Sequence, residues 1–170
     1  WDEARKYFGN ILVPFSPLIL RKVEEVQKLG LQIETIAPSH GLIWRQDPMQ
    51  IVTQYVRWAQ GEAKARAVVV YETMWGSTAQ MAYAIVEGLA DAGVEAQLYA
   101  VPQEDLTTVA GALLEAKGLI VGSPTHNRRM LMNVAALLEH LAGLRPVKKI
   151  GAAFGSHGWG GGSVPLIEKA

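Results

Sequence analysis

The 170-residue chain contains no cysteine. Disulfides, thiolate zinc sites and cysteine-ligated iron–sulfur clusters are therefore excluded within it. It carries no surplus of either charge. Lys and Arg number eight against seven Asp and Glu up to Ala65, and eight against nine from Arg66 onward. Such a balance argues against nucleic acid as a partner. No apolar run approaches the ~20 residues that span a membrane, and no leader-type apolar core follows Trp1; a cytoplasmic address is the expectation. Internal repeats and low-complexity segments are also missing. What remains is globular in composition, with 49% hydrophobic and 19% charged residues. The length suits one domain, or a small domain with part of another. The chain opens at Trp1 inside a helical pattern and closes at Ala170 just after another begins, which suggests a portion of a longer protein.

Residues 2–13 read as a helix, broken at Pro14-Phe15-Ser16-Pro17, where Ser16 and Pro17 read as an N-cap and first helical residue. Leu20, Val23, Val26 and Leu29 then recur at helical spacing up to Gly30. Residues 32–37 alternate as a short strand, followed by a Pro38-Ser39-His40-Gly41 loop. Asp47-Pro48 starts a helix with Ile51, Tyr55 and Trp58 on one face, and Gly61 closes it. Residues 61–65 read as a linker.

The texture then changes. Val68–Tyr71 is a continuous apolar strand, the mark of a buried parallel sheet. Strands at 95–101, 119–122 and 150–154 follow, separated by helical patterns at about 81–93, 106–116 and 134–141, with a glycine-rich run leading to a fourth helix. This βαβαβαβ rhythm predicts an α/β fold with a doubly wound parallel sheet.

The first of these strands runs directly into Thr73-Met74-Trp75-Gly76-Ser77-Thr78, where a helix begins at once. The first amides of a helix lack intrahelical partners, and with the helix dipole they favour an anion. Three hydroxyls add donors, and Gly76 permits close approach of the backbone. No lysine is present, so this is not a triphosphate-hydrolysing P-loop, nor does it follow the GxGxxG dinucleotide pattern. A neutral, hydroxyl-rich loop suits the phosphate of FMN; a merely capped helix is the plainer alternative.

Doubly wound sheets bind ligands beyond the carboxyl ends of their strands. The loops there are Gly122-Ser123-Pro124-Thr125-His126-Asn127 and Gly155-Ser156-His157-Gly158-Trp159-Gly160-Gly161-Gly162. Their backbone groups suit the polar edge of a flavin, and Trp159 is either a cover for one flavin face or a packing aromatic. His126 and His157 are either donors to the cofactor or ordinary loop histidines.

The segments YETMWGSTAQMA, IVGSPTHN and GAAFGSHGWGG closely resemble the flavodoxin domain of flavodiiron proteins of the rubredoxin:oxygen oxidoreductase type. Upstream, YFGNILVPF and APSHGLIWRQDP are similar to the end of that family's diiron domain. The resemblance implies residues 63–170 as a flavodoxin-like FMN-binding domain, lacking its last strand and helix. It implies residues 1–62 as the C-terminal piece of a metallo-β-lactamase-like αββα domain. It further implies that Thr73, Met74, Trp75, Gly76, Ser77 and Thr78 form the FMN phosphate loop. Ser123, Pro124, Thr125, His126 and Asn127 correspond to a first isoalloxazine loop, and Ser156, His157, Gly158, Trp159 and Gly160 to a second. His40 corresponds to the last iron-ligating histidine; the remaining ligands of the diiron centre are not in this sequence.

The family's activity is FMN-mediated electron transfer to iron that reduces dioxygen to water or nitric oxide to nitrous oxide. Rubredoxin or a similar donor supplies the electrons, in a head-to-tail homodimer or dimer of dimers. Arg128-Arg129 stand where relatives often have Asn-Gly, either near an acidic donor or as solvated surface charge. The rival readings are a flavodoxin-type electron carrier, an NAD(P)H:quinone reductase without a diiron site, and a non-enzymatic interaction fragment.

Overall fold

A computed structural model describes all residues, Trp1–Ala170. The chain begins with α1 (Asp2–Tyr7), which continues without interruption through a π-helical turn at Phe8–Leu12 and a 3₁₀ turn at Val13–Phe15. α2 (Ser16–Lys28) and α3 (Met49–Ala59) follow. Ser16 starts α2 but does not cap it: its hydroxyl donates back to the Val13 carbonyl at 2.7 Å, with Phe15 in the cap position. The strand expected over 32–37 does not form. Only Ile36 and Trp44 exchange backbone hydrogen bonds, at 2.9 and 2.8 Å, because no other segment of this chain lies alongside to extend a ladder.

From there the elements are β1 (Lys64–Tyr71), α4 (Ser77–Asp91), β2 (Glu95–Ala100), α5 (Leu106–Glu115), β3 (Ala116–Gly122), α6 (Met132–Leu144), β4 (Ile150–Phe154) and α7 (Ser163–Lys169). The four strands are parallel, in the order β2-β1-β3-β4. The expected doubly wound sheet is thus observed. β1 starts at Lys64, inside the segment read as a linker, since Lys64 already pairs with Ala116.

The alternation of side chains along β1 divides the core between the two faces. Val68 and Val70 pack with Val121 against α5 and α6, through Val109, Leu113, Leu137 and Leu141. Val69 and Tyr71 pack with Phe154 against Ala82 of α4. Val68, Val69 and Val70 are all fully buried, which contributes roughly 1.5–3 kcal/mol each relative to exposure.

A second cluster seats the N-terminal helices on the outer side of α5. Phe8 is fully buried between the rings of Tyr55 and Trp58, at centroid distances of 5.0 and 5.4 Å, and the cluster includes Leu114 of α5. The helical face read from Ile51, Tyr55 and Trp58 is the one that packs inward. The Trp58 indole donates to the Glu115 carboxylate at 3.0 Å. Asn10, in the π-turn, donates to the carbonyls of Lys6 and Thr107 at 2.8 and 2.9 Å and lies 3.1 Å from His140 Nε2 on α6.

The order β2-β1-β3-β4 sets the position of the site. β1 runs on to β2 on one side, and the chain then returns to β1's other side for β3. The carboxyl ends of β1 and β3 therefore flank a switch point, and loops leaving them diverge to leave a crevice.

Candidate functional site

Three loops meet above this switch point: residues 72–76 after β1, 123–131 after β3 and 155–162 after β4. Between them lies an open cavity of about 880 Å³, of a size suited to a cofactor.

Four helices begin near this edge, each with N-terminal amides that need acceptors. At α5 the Asp105 carboxylate accepts from Thr107 N at 2.8 Å, and this bond holds its carboxyl below the ordinary pKa. At α6 the Glu72 carboxylate, from the loop after β1, accepts from Asn133 Nδ2 at 2.6 Å and Val134 N at 3.3 Å. At α7 the Thr125 hydroxyl accepts from Gly162 N and Ser163 N at 3.1 and 3.2 Å. α4 differs: its cap position is Gly76, at φ +87°, and no side chain accepts from its first amides. Gly76 is needed because an L side chain there would be strained.

Around that uncapped terminus stand hydroxyls. Ser156 Oγ, from the loop after β4, lies 2.9 Å from Ser77 Oγ and 3.1 Å from Thr78 Oγ1. Thr73 Oγ1 accepts from Gly76 N at 3.0 Å and holds the turn shut. Unpaired amides, a helix dipole and three clustered hydroxyls form an anion cradle. The cavity lining contains no Asp or Glu, so nothing in it repels a phosphate.

Two of the loops are joined by buried hydroxyls. Ser163 is 1% exposed and donates to the Ser123 carbonyl at 2.8 Å. Its single proton is thereby used, so at the 3.1 Å contact with Thr125 Oγ1 the threonine is the donor. Thr125 N also donates to the Ser156 carbonyl at 2.8 Å. Ser123, fully buried, accepts from Leu131 N at 2.9 Å and closes its own loop. A side chain at Gly155 would collide with the Ser123 carbonyl, and one at Gly162 with the Arg128 carbonyl; these glycines let the loops touch backbone to backbone.

Most residues singled out from the sequence meet here. Met74, Trp75 and Ser77 line the cavity from the first loop, Pro124, Thr125, His126 and Asn127 from the second, and Ser156, His157, Gly158, Trp159 and Gly160 from the third. Thr73, Gly76, Thr78 and Ser123 do not line it; they lie behind the lining and shape it. Trp75 and Trp159 stand in the open at 90% and 107% exposure, two aromatic faces that nothing in this chain covers.

Ser156, grouped by resemblance with the ring-binding loop, has its hydroxyl beside those of Ser77 and Thr78 at the start of α4. Ser163 and Glu72 are not among the residues that the sequence singles out. Their only local signals were a serine closing a glycine run and an acid immediately after a strand.

His40 lies apart, exposed, in a shallow hollow with Trp44 and Tyr55; its ring sits 5.1 Å from that of Tyr7. No three His, Cys, Asp or Glu side chains gather anywhere to hold a metal ion. The donors of this chain therefore do not by themselves fit a dinuclear iron centre. No helix is long and apolar enough to cross a membrane.

Together these features define a doubly wound α/β domain built to hold a phosphorylated planar cofactor at its switch point. Residues 69–170 match the Flavodoxin family, and the chain belongs to it. Such a domain implies FMN, and the cradle, the cavity volume and the acid-free lining all fit that group.

The likeness extends upstream of the matched residues. A nitric oxide reductase of Moorella thermoacetica is 51% identical over 168 residues, covering 99% of this chain and 42% of the relative. The structure of rubredoxin oxygen:oxidoreductase from Desulfovibrio gigas superposes with a TM-score of 0.93 at 36% identity, over 97% of this chain and 42% of that one. The flavodiiron protein of Giardia intestinalis gives 0.89 at 36% identity, over 96% and 40%. The resemblance to flavodiiron proteins read from the motifs is thus borne out, and the chain spans about two fifths of the length of these relatives.

Proposed function

We propose that this chain is the FMN-carrying part of a flavodiiron oxidoreductase. In the intact protein it would relay electrons to a diiron centre that reduces dioxygen to water or nitric oxide to nitrous oxide. The observation that carries the flavin half is the α4 terminus: of four helices at the binding edge, it alone has no side-chain cap, and it opens into an acid-free cavity. The diiron half rests on likeness to proteins named nitric oxide reductase and rubredoxin oxygen:oxidoreductase, over nearly all of this chain.

When bound, FMN supplies reversible uptake and release of electrons. The chain's own groups hold it. Ser77 and Ser156, with the first amides of α4, take the phosphate, and Thr78 holds the Ser156 hydroxyl from behind. The backbone of residues 123–127 and 156–160 meets the polar edge of the ring, with Trp75 and Trp159 against its faces. Met74, His126, Asn127 and His157 complete the enclosure. The chain by itself lacks a ligand set for iron. His40 is proposed as one ligand of a centre whose other ligands this chain does not supply.

Residues 1–62 are proposed as the last part of the diiron domain and 63–170 as the flavin domain. The proposed setting is cytoplasmic, with rubredoxin or a similar donor, in a head-to-tail homodimer or dimer of dimers.

The test is a visible spectrum of the intact protein, with flavin and iron quantified in one sample. Flavin with about two irons per chain, as a dinuclear site requires, supports the reading. Flavin without iron leaves an electron carrier or quinone reductase. Separately, His40→Asn should lower iron content while FMN stays bound; unchanged iron sinks the ligand role.

A further inference from the structure

We propose that Arg128 sets how strongly the protein favours reduced over oxidised flavin. It does so as the one permanently charged residue of the cavity lining. The inference rests on the FMN reading above and adds a role for a residue that reading leaves unused.

The first observation is conformational. His126 and Arg129 exchange both backbone hydrogen bonds, each at 2.9 Å, as an isolated antiparallel pair. The two residues between them, Asn127 and Arg128, have φ of +50° and +62°. This is a two-residue turn of the type that asks for Asn-Gly. Asn127 suits its position; Arg128 does not, since a side chain at such φ crowds the following carbonyl. A strained residue at the rim of a ligand cavity points to a use for its side chain.

The second is electrostatic. Among the residues lining the cavity, Arg128 is the only Lys, Arg, Asp or Glu. No carboxylate lies within 4 Å of its guanidinium, so the charge is not neutralised by a partner. The phosphate cradle, made of hydroxyls and amides, brings no formal charge of its own. The third is positional. The Arg128 carbonyl packs on Gly162, where any side chain would collide with it, so the turn is clamped to the loop after β4.

A reduced flavin carries more negative charge than an oxidised one, and a nearby fixed cation favours the more negative form. Arg128 therefore raises the midpoint potential of bound FMN. Arg129, next in sequence, does not line the cavity and serves as the control for general surface charge.

The experiment compares FMN-loaded protein with Arg128→Lys, Arg128→Gln, Arg128→Gly and Arg129→Gln. It reads FMN affinity by flavin fluorescence, the midpoint potential by dye equilibration, and the Tm. Arg128→Gln and Arg128→Gly should each cut the preference for reduced FMN about tenfold, a fall of about 30 mV for a two-electron couple. Arg128→Lys and Arg129→Gln should hold the parent value. Arg128→Gly should also raise the Tm, because glycine relieves the turn. A structural role alone would move stability and potential together, whereas here they move in opposite directions. Unchanged potentials in Arg128→Gln and Arg128→Gly with FMN bound overturn the proposal, as does an equal fall in Arg129→Gln. Failure of the parent protein to bind FMN overturns the underlying reading and this one with it.

Discussion

Replacing Ser163 with alanine should loosen the flavin site from behind without touching the cofactor. Its hydroxyl is 1% exposed and makes two hydrogen bonds, to the Ser123 carbonyl at 2.8 Å and with Thr125 Oγ1 at 3.1 Å. Alanine leaves the carbonyl without that donor, at a fully buried residue packed against Gly155. A buried polar atom stripped of its partner costs about 1–3 kcal/mol. Thr125 can turn its proton elsewhere and still accept from the α7 amides, so it adds little. The better helix propensity of alanine returns a few tenths of a kcal/mol. The net expectation is about 2 kcal/mol, or a Tm lowered by about 4–8 °C for a chain of this length. The loops after β3 and β4 should also separate, and FMN should bind about tenfold more weakly, a binding loss of about 1.4 kcal/mol. Thermal melting by circular dichroism, with and without FMN, measures both. A Tm within 1 °C of the parent and an unchanged FMN affinity would refute the claim that this buried pair positions the loops.

Two further outcomes follow from the same geometry. Ser156→Ala should weaken FMN about tenfold while leaving riboflavin, which lacks the phosphate, nearly unaffected; equal losses in fluorescence titrations would return Ser156 to the ring side of the site. Lys149 is pushed from the ordinary value near 10.5 down to about 8, by burial first and by the Lys117 charge second, with Glu115 opposing. Its ammonium donates to the carbonyls of Leu114 and Ala116 at 3.0 and 2.7 Å. Because the folded-state pKa is the lower one, the folded protein sheds this proton while the unfolded chain keeps it. Stability from this group therefore rises with pH between about 8 and 10.5 and is flat below 8. Denaturant midpoints at pH 7.5 and 9.5 should show that rise in the parent relative to Lys149→Met, and parallel behaviour of the two would contradict it.

Much of the molecule was legible in one dimension because its signals are local. A run such as Val68–Tyr71 announces a strand buried on both faces, and the observed β1 buries all four residues. The β4 limits, Ile150–Phe154, coincide with those read from the sequence. The loop proposed for the phosphate is legible because strand, glycine and helix start lie within a few residues, and a helix N-terminus seeks an acceptor whatever surrounds it. The loops after β3 and β4 could be nominated because a parallel sheet presents its carboxyl ends together.

What only the tertiary structure decided is which groups meet across long separations. The alternation over 32–37 promised a strand, but a strand exists only where a neighbour supplies the ladder, and here a single bridge to Trp44 was available. Ser156 reaches Ser77 across 79 residues, Ser163 reaches Ser123 across 40, and Glu72 caps α6 at the Val134 amide from 62 residues away. Each pairing follows from the order β2-β1-β3-β4, which sets the loops of β3 and β4 beside that of β1. Nor does spacing along the chain reveal that Asn127 and Arg128 both adopt positive φ. Periodicity reports on residues a few positions apart; the charge, the hydroxyls and the open helix end share one cavity because of strand order, which is set by packing the whole sheet.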